Sequence, residues 1–470
     1  MVNLVRFLAD HGLRLPHWRS SRHLLYGLVL GVSIPLATRS IAMYHRRRRR
    51  ERIAAQTEFE TRPIELRSEE ILSGVAGLIG NTPLIRINSL SDALGVEILG
   101  KAEFLNVGGS VKDRVALRMI DDAERLGLLH PHTGSRIFEG TVGSTGISIA
   151  TVARARGYDA TIIMPDDVAE EKVKALLALG AEVERVRPAS IVDTKHNLAR
   201  HRAAHFGDSA SQSGDSSPKP HLISSMSTSV VVSTTSDTKA SEQNPEANED
   251  FVVKPRGYFA DQFENHSNYQ AHYDGTGPEI WRQTNGNLDA FVSGAGTGGT
   301  IAGVGRYIKS KNPEVKLVLA DPNGSGLYNK IKYGVMYDKK ESEGTKRRHQ
   351  VDTVVEGIGI NRLTKNLELA LPIIDDAFRV SDAEAVSMAR YLVKHDGLFL
   401  GSSSACNLVA AVRLAKQEGW TGVRGIGGRR IVTILCDSGT RHYSKFWNDD
   451  YLDRAGLPHD ASLIEEMLES

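Results

Sequence analysis

The chain has 470 residues, with 58 Lys+Arg against 57 Asp+Glu and a formal charge of +1. Hydrophobic residues at 40% and charged residues at 24% are ordinary for packed cores, which excludes whole-chain disorder, collagen and a polytopic membrane protein. The neutral balance gives no reason to expect a nucleic-acid partner, and two cysteines, Cys406 and Cys436, cannot frame a disulfide network or a four-thiolate zinc site.

The charge is unevenly placed. Arg19, Arg22 and His23 precede an apolar run over Leu24–Thr38, and His45–Arg50 then reads HRRRRR. As a helix the run spans about 22 Å at ~1.5 Å per residue, short of the roughly 30 Å of a bilayer core. Pro35 would kink such a helix without forbidding it. Residues 1–60 are read as a weakly hydrophobic membrane-anchor helix whose cations keep the following chain on the cytosolic side. Short anchors with basic flanks are similar to those of the mitochondrial outer membrane. A cleaved presequence leading to the matrix and a soluble tail are the alternatives.

Beyond about residue 70, uninterrupted apolar runs predict strands buried on both faces at Val96–Ala102, Ser135–Glu139, Ala160–Met164, Ala181–Val186, Asp289–Ser293, Val315–Ala320 and Ile431–Leu435. Helical patterns lie between them at Lys112–Leu126, Gly146–Arg156, Glu171–Leu179, Thr300–Ser310 and Asp382–Lys394. This alternation predicts an α/β fold with two open, twisted, mostly parallel sheets flanked by helices. The rhythm breaks at 209–250, a Ser/Thr/Asp/Asn-rich stretch too poor in apolar residues to fold alone and read as a disordered insertion. A smaller polar excursion covers 338–350. The expected organisation is an N-terminal domain over 70–270, a C-terminal domain over 271–450 and a tail over 451–470.

Seven motifs punctuate this pattern. Asp289–Thr300 (DAFVSGAGTGGT) is a strand, a glycine turn and a helix, a form that presents backbone amides and the helix dipole to phosphate. Gly294, Gly296 and Gly299 also satisfy G-x-G-x-x-G with Asp321 about 20 residues on, the dinucleotide spacing. The hydroxyls of Thr297 and Thr300 suit a single phosphomonoester. Asn106–Arg114 (NVGGSVKDR) enters a helix with Ser110 as candidate N-cap, and Thr141–Gly146 (TVGSTG) is a second hydroxyl-rich turn suited to a carboxylate or phosphate. Asp261–Trp281, Glu356–Ile360 (EGIGI), Gly401–Cys406 (GSSSAC) and Asp437–Tyr443 (DSGTRHY) complete the set. No H-E-x-x-H or C-x-x-C pattern points to a metal site.

Taken in order with GNTPL at Gly80–Leu84, these motifs resemble the cysteine synthase/cystathionine β-synthase family, collinearly from about Leu78 to Lys445. The N-terminal segment and the GSTG and EGIGINRLT wording resemble most the membrane-targeted cysteine synthase-like proteins of fungi. The resemblance implies fold type II, pyridoxal 5'-phosphate (PLP) as cofactor and, usually, a homodimer. It implies that Lys112 forms the Schiff base, that Gly296, Thr297, Gly298, Gly299 and Thr300 cradle the cofactor phosphate, and that Ser403 meets the ring nitrogen. Thr141, Ser144, Thr145 and Gln262 would hold the substrate carboxylate and the cofactor's phenolic oxygen, and Gly357 would face the reacting centre. The implied reaction is β-replacement through an α-aminoacrylate, making L-cysteine from O-acetylserine, or a related activated serine, and sulfide. Lys112, released from the cofactor, would act as general base.

Three positions depart from the family pattern: Val142 and Ser144 replace Ser and Asn, and Ala405 replaces Gly. Val142 cannot donate to a carboxylate and Ser144 has a shorter reach. The chain stops soon after the seventh motif, so no C-terminal regulatory module is expected and cysteine formation is preferred over cystathionine formation. A cystathionine synthase, a cysteine desulfhydrase and a membrane-tethered PLP-binding protein with little turnover remain alternatives. So does an NAD-dependent dehydrogenase using Gly294–Gly299 and Asp321.

Overall fold

The computed structural model describes residues 71–166, 168–186, 197–206, 232–233, 254–338, 353–422 and 428–469. The anchor expected over 1–60 and nearly all of the insertions expected at 209–250 and 338–350 lie outside these residues. Among the described residues no helix is long and apolar enough to cross a membrane.

Eleven strands are described: β1 (Leu84–Arg86), β2 (Glu97–Ala102), β3 (Arg136–Gly140), β4 (Asp159–Pro165), β5 (Glu182–Val186), β6 (Val232–Ser233), β7 (Gly257–Phe259), β8 (Ala290–Gly294), β9 (Lys316–Pro322), β10 (Asp376–Val380) and β11 (Arg430–Leu435). They form a six-stranded sheet, β1-β2-β11-β8-β9-β10, and a five-stranded sheet, β5-β4-β3-β7-β6. Every described pairing is parallel except that of β1 with β2. Strands β1 and β2 precede Lys112 in the chain yet belong to the larger sheet, beside strands contributed by residues 290–435.

The apolar runs are continuous because each sheet is covered on both faces. Along β11, Ile431 and Leu435 enter one core with the Asp382–Asp396 and Ser402–Gln417 helices. Val432 and Ile434 enter the opposite core with the Gly299–Lys311 helix. A strand with no solvent face has no polar alternation to show. In the smaller sheet Ile137 and Ile162 pack with the Lys112–Arg125 and Ser144–Ala155 helices, while Phe138 and Ile163 pack with the Leu198–Ala204 helix.

Local signals set several helix starts. Ser381 and Glu384 form a reciprocal capping box that satisfies two otherwise free amides. Ser110 is not the cap of the lysine helix: that position falls to Val111, and the Ser110 hydroxyl instead accepts a 3.3 Å hydrogen bond from the Lys112 amide. The backbone bridge from Ser110 to Asp437 leaves the serine one residue too early to cap.

Candidate active site

Parallel strands deliver their carboxyl ends to one edge of a sheet, where the following turns make a crevice. β11 and β8 are paired neighbours. The turns after them, Cys436–Asp437 and Ala295–Gly298, therefore lie side by side. Lys112 is tied to the first, since Ser110 bridges to Asp437 and the Val111 amide donates to the Cys436 carbonyl at 3.1 Å. The lysine side chain is half-buried, and burial lowers its pKa, with Cys436 and Asp437 acting the other way. That favours a neutral amine, which a nucleophile or proton acceptor must be.

The glycine turn is a cradle closed by its neighbours. Gly298 adopts φ +87°, and a Cβ there would lie 2.6 Å from Leu367 Cα. A Cβ on Gly296 would lie 2.6 Å from the Gly357 carbonyl, and one on Gly299 would collide with Asn268 Oδ1. Only glycine fits these three places. Asn268 Nδ2 donates to Thr297 Oγ1 and to the Gln262 carbonyl, both at 2.8 Å, while its buried Oδ1 has no hydrogen-bond partner. Thr364 Oγ1 donates to the Thr297 carbonyl at 2.7 Å. Thr300 Oγ1 lies 3.2 Å from His272 Nε2, and His272 Nδ1 lies 2.9 Å from Thr276 Oγ1. Burial holds the His272 imidazole well below its ordinary pKa, helped by the charges of Lys112 and Arg114. The Lys112 amine and the 296–300 turn thus share the neighbourhood of one neutral histidine.

The TVGSTG turn follows β3. Thr145 Oγ1 donates to Gln262 Oε1 at 2.6 Å, and Gln262 Nε2 donates to the Gly140 carbonyl at 3.3 Å. The Gly143 amide donates to Thr141 Oγ1 at 3.3 Å. Thr141, Thr145 and Gln262 are buried, whereas Val142 is 42% exposed. Arg441 Nη1 donates to Ser144 Oγ at 3.3 Å. Across the larger sheet Ser403 is buried, and burial pushes the pKa of the Cys436 thiol up to about 11. Gly357 has φ +87° with open space on its Cβ side, and the Glu356 amide donates to Ser402 Oγ at 2.9 Å.

Asp321 does not serve the glycine turn as a dinucleotide site needs. It is fully buried, its Oδ2 accepts from the Tyr328 amide at 2.7 Å, and burial pushes its pKa up to about 7. A ribose hydroxyl has no access to it. Asn268, His272 and Arg441 carried no assignment in the sequence reading. Asn268 and His272 are four residues apart, hence on one helical face, a spacing that could have flagged them. Nothing local in DSGTRHY marks Arg441 as the partner of a serine 297 positions away.

A glycine turn without room for side chains at a helix N-terminus, the Thr297 and Thr300 hydroxyls on it and an amine of lowered pKa nearby define a site for a phosphate-bearing carbonyl cofactor on an α/β frame. A family model described as "Pyridoxal-phosphate dependent enzyme" matches residues 75–437, and the chain belongs to that family. It is 52% identical over 391 residues to "Cysteine synthase 2" of Schizosaccharomyces pombe, covering 83% of this chain and 87% of that one. It is 46% identical over 408 residues to "Putative mitochondrial cysteine synthase" of Saccharomyces cerevisiae, covering 87% and 90%. Among solved structures, the O-acetylserine dependent cystathionine beta-synthase from Helicobacter pylori matches with a TM-score of 0.59 and 27% identity, over 80% of this chain and 99% of that one.

Gly299→Ala is expected to weaken PLP binding by roughly tenfold or more, because Asn268 must swing away and give up two buried hydrogen bonds. Titration of the apoprotein with PLP measures this.

Proposed function

We propose that the chain is a cysteine synthase that replaces the β-substituent of O-acetylserine, or a related activated serine, with sulfide. The observation carrying this reading is the meeting of Lys112 with the 296–300 cradle at the carboxyl ends of β11 and β8. PLP fits the residues present. Lys112 would bond it covalently, the amides and hydroxyls of Gly296–Thr300 would hold its phosphate, and Ser403 would face its ring nitrogen. When bound, the cofactor supplies an electron sink for charge developing at the substrate Cα.

The chain's own residues supply the rest. The lowered pKa of Lys112 suits it to take the Cα proton. Thr141, Thr145 and Gln262 bind the substrate carboxylate, their orientation fixed by the Thr145–Gln262 bond. Ser144, shorter than the usual Asn, is held by Arg441, which places a cation next to the same anion. Gly357 leaves the substrate side open. The printed donor of the Helicobacter pylori relative supports O-acetylserine.

Incubating the full-length, PLP-loaded protein with sulfide and O-acetylserine, O-phosphoserine or serine in turn tests the reading. Cysteine should form fastest from an activated serine. No cysteine from any of the three would remove the proposal.

Residues 1–60 are proposed to anchor the enzyme at the mitochondrial outer membrane, with a homodimeric catalytic part facing the cytosol. The basic flanks and the mitochondrial name of the Saccharomyces cerevisiae relative support this. Carbonate washing should leave the full-length chain in the membrane pellet and release a chain lacking residues 1–60. Release of the full-length chain would contradict the anchor and favour the cleaved presequence.

A further inference from the structure

A separate set of charges spans the site. Lys172, on the Glu170–Ala178 helix that follows β4 in the smaller sheet, is ion-paired with Glu356, in the loop between β9 and β10 of the larger sheet. Glu356 Oε2 lies 3.5 Å from His442 Nδ1, and Glu356 Oε1 lies 3.8 Å from Lys445 Nζ. His442 Nε2 lies 3.1 Å from Asp437 Oδ2. Lys172, His442 and Asp437 are buried.

Each member touches a segment to which a role has been given. Lys172 packs under the TVGSTG turn, where a Cβ on Gly143 would lie 2.5 Å from its Cδ. Glu356 precedes Gly357 and is tied to Ser402. Asp437 bridges to Ser110 and accepts, through its carbonyl, the Gly401 amide at 3.0 Å. A Cβ on Gly401 would meet both the Asp437 carboxylate and, at 2.6 Å, His442 Nε2. The histidine is therefore wedged among the Glu356, Gly401 and Asp437 segments.

We infer that His442 is a positioning residue: as an imidazolium it clamps Glu356 and Asp437 together, with Lys172 reaching from the opposite sheet, and so sets the Gly357 loop against the Lys112 turn. The inference rests on the cysteine synthase reading above. His442 Nδ1 makes no hydrogen bond, so its attraction to Glu356 is electrostatic and requires a charged ring, whereas a neutral imidazole would keep only the Nε2 contact with Asp437. The groups facing the ring are Asp437, Arg441 and Lys445 from its own segment, Glu356 from the loop and Lys172 from the helix. Burial works against the charged ring, yet Asp437 and Glu356 outweigh it and raise the pKa to about 9. A raised value means the clamp is complete below the ordinary histidine range and is lost as pH rises through about 9.

The test compares wild type with His442→Asn and Lys172→Met as full-length holoenzymes, and follows amide hydrogen exchange in their apoproteins. The variants should raise KM for O-acetylserine about tenfold with kcat changed less than about threefold, and flatten the alkaline limb of kcat/KM near pH 9. Exchange at residues 356–359 should quicken about tenfold in the apoproteins while the β11 amides keep wild-type rates. Wild-type KM and pH profile in both variants, or exchange quickened equally throughout, would overturn the inference. If the wild-type chain makes no cysteine, the function fails separately and the exchange pattern still decides the role of His442.

Discussion

Lys112→Ala is expected to abolish sulfide-dependent cysteine formation, by about a thousandfold or more, because general-base removal alone costs about 10²–10⁴ in rate. Covalent tethering of the cofactor is lost in the same substitution, so PLP absorbance should also shift to that of the free form. Lys112→Arg should be nearly as inactive, since a guanidinium is never neutral in the working range. The helix carrying Lys112 is held by backbone bonds to Cys436 and Asp437, and neither substitution touches these. The far-UV circular dichroism should therefore be unchanged. Normal turnover in either variant would place the proton transfer elsewhere.

Arg114→Met should lower the free energy of unfolding by about 3–5 kcal/mol, the usual cost of stripping one partner from a buried ion network. Two residues after Lys112, Arg114 donates to Glu103 and Glu279, and Lys101 pairs with Glu279 at 2.7 Å. All four side chains are at most 6% exposed. Two cations and two carboxylates balance, and removing Arg114 leaves one cation against two anions with no water to take up the difference. Urea unfolding measures the loss. Arg114→Met combined with Glu103→Gln should recover part of it, because the remaining charges again balance. Burial alone would raise the pKa of Glu279, but Arg114 and Lys101 hold it far below the carboxylate range. Its contribution is thus present above the unfolded-state value and fades as pH falls below it, so acid should close the gap between wild type and variant.

Most strands visible in the sequence are those sealed on both faces, where burial leaves an unbroken apolar run; β5, an edge strand without a fully buried residue, is the exception. β10 (DAFRV) escaped because it is the sheet edge: Asp376, Phe378 and Arg379 are only partly buried, and the run reads as mixed. β1 and β7 have three residues each, too few for any period to emerge. The turns were easier to read than the edges. Gly296, Gly298 and Gly299 are there because backbone or an Asn side chain occupies the space of a Cβ, and that need shows as a cluster of one residue type. What stayed hidden was pairing. Ser144 with Arg441, Thr145 with Gln262 and Lys172 with Glu356 join positions far apart in the chain, and no local pattern encodes who will meet whom. Asp321 shows the opposite error, since it satisfies the dinucleotide spacing by number while its carboxylate is turned inward to fasten the loop at Tyr328.

The strand at the heart of the larger sheet is the last one to be synthesised. β11 inserts between β2 and β8, so Glu97 waits for Arg430, 333 positions later, before its side chain finds a partner. Until that segment emerges, the facing edges of β2 and β8 lack the strand that pairs their backbone N–H and C=O groups. Closure of such distant contacts is slow and leaves sticky intermediates. The crevice beside β11 can therefore close only after residues 430–435 have emerged, late in translation.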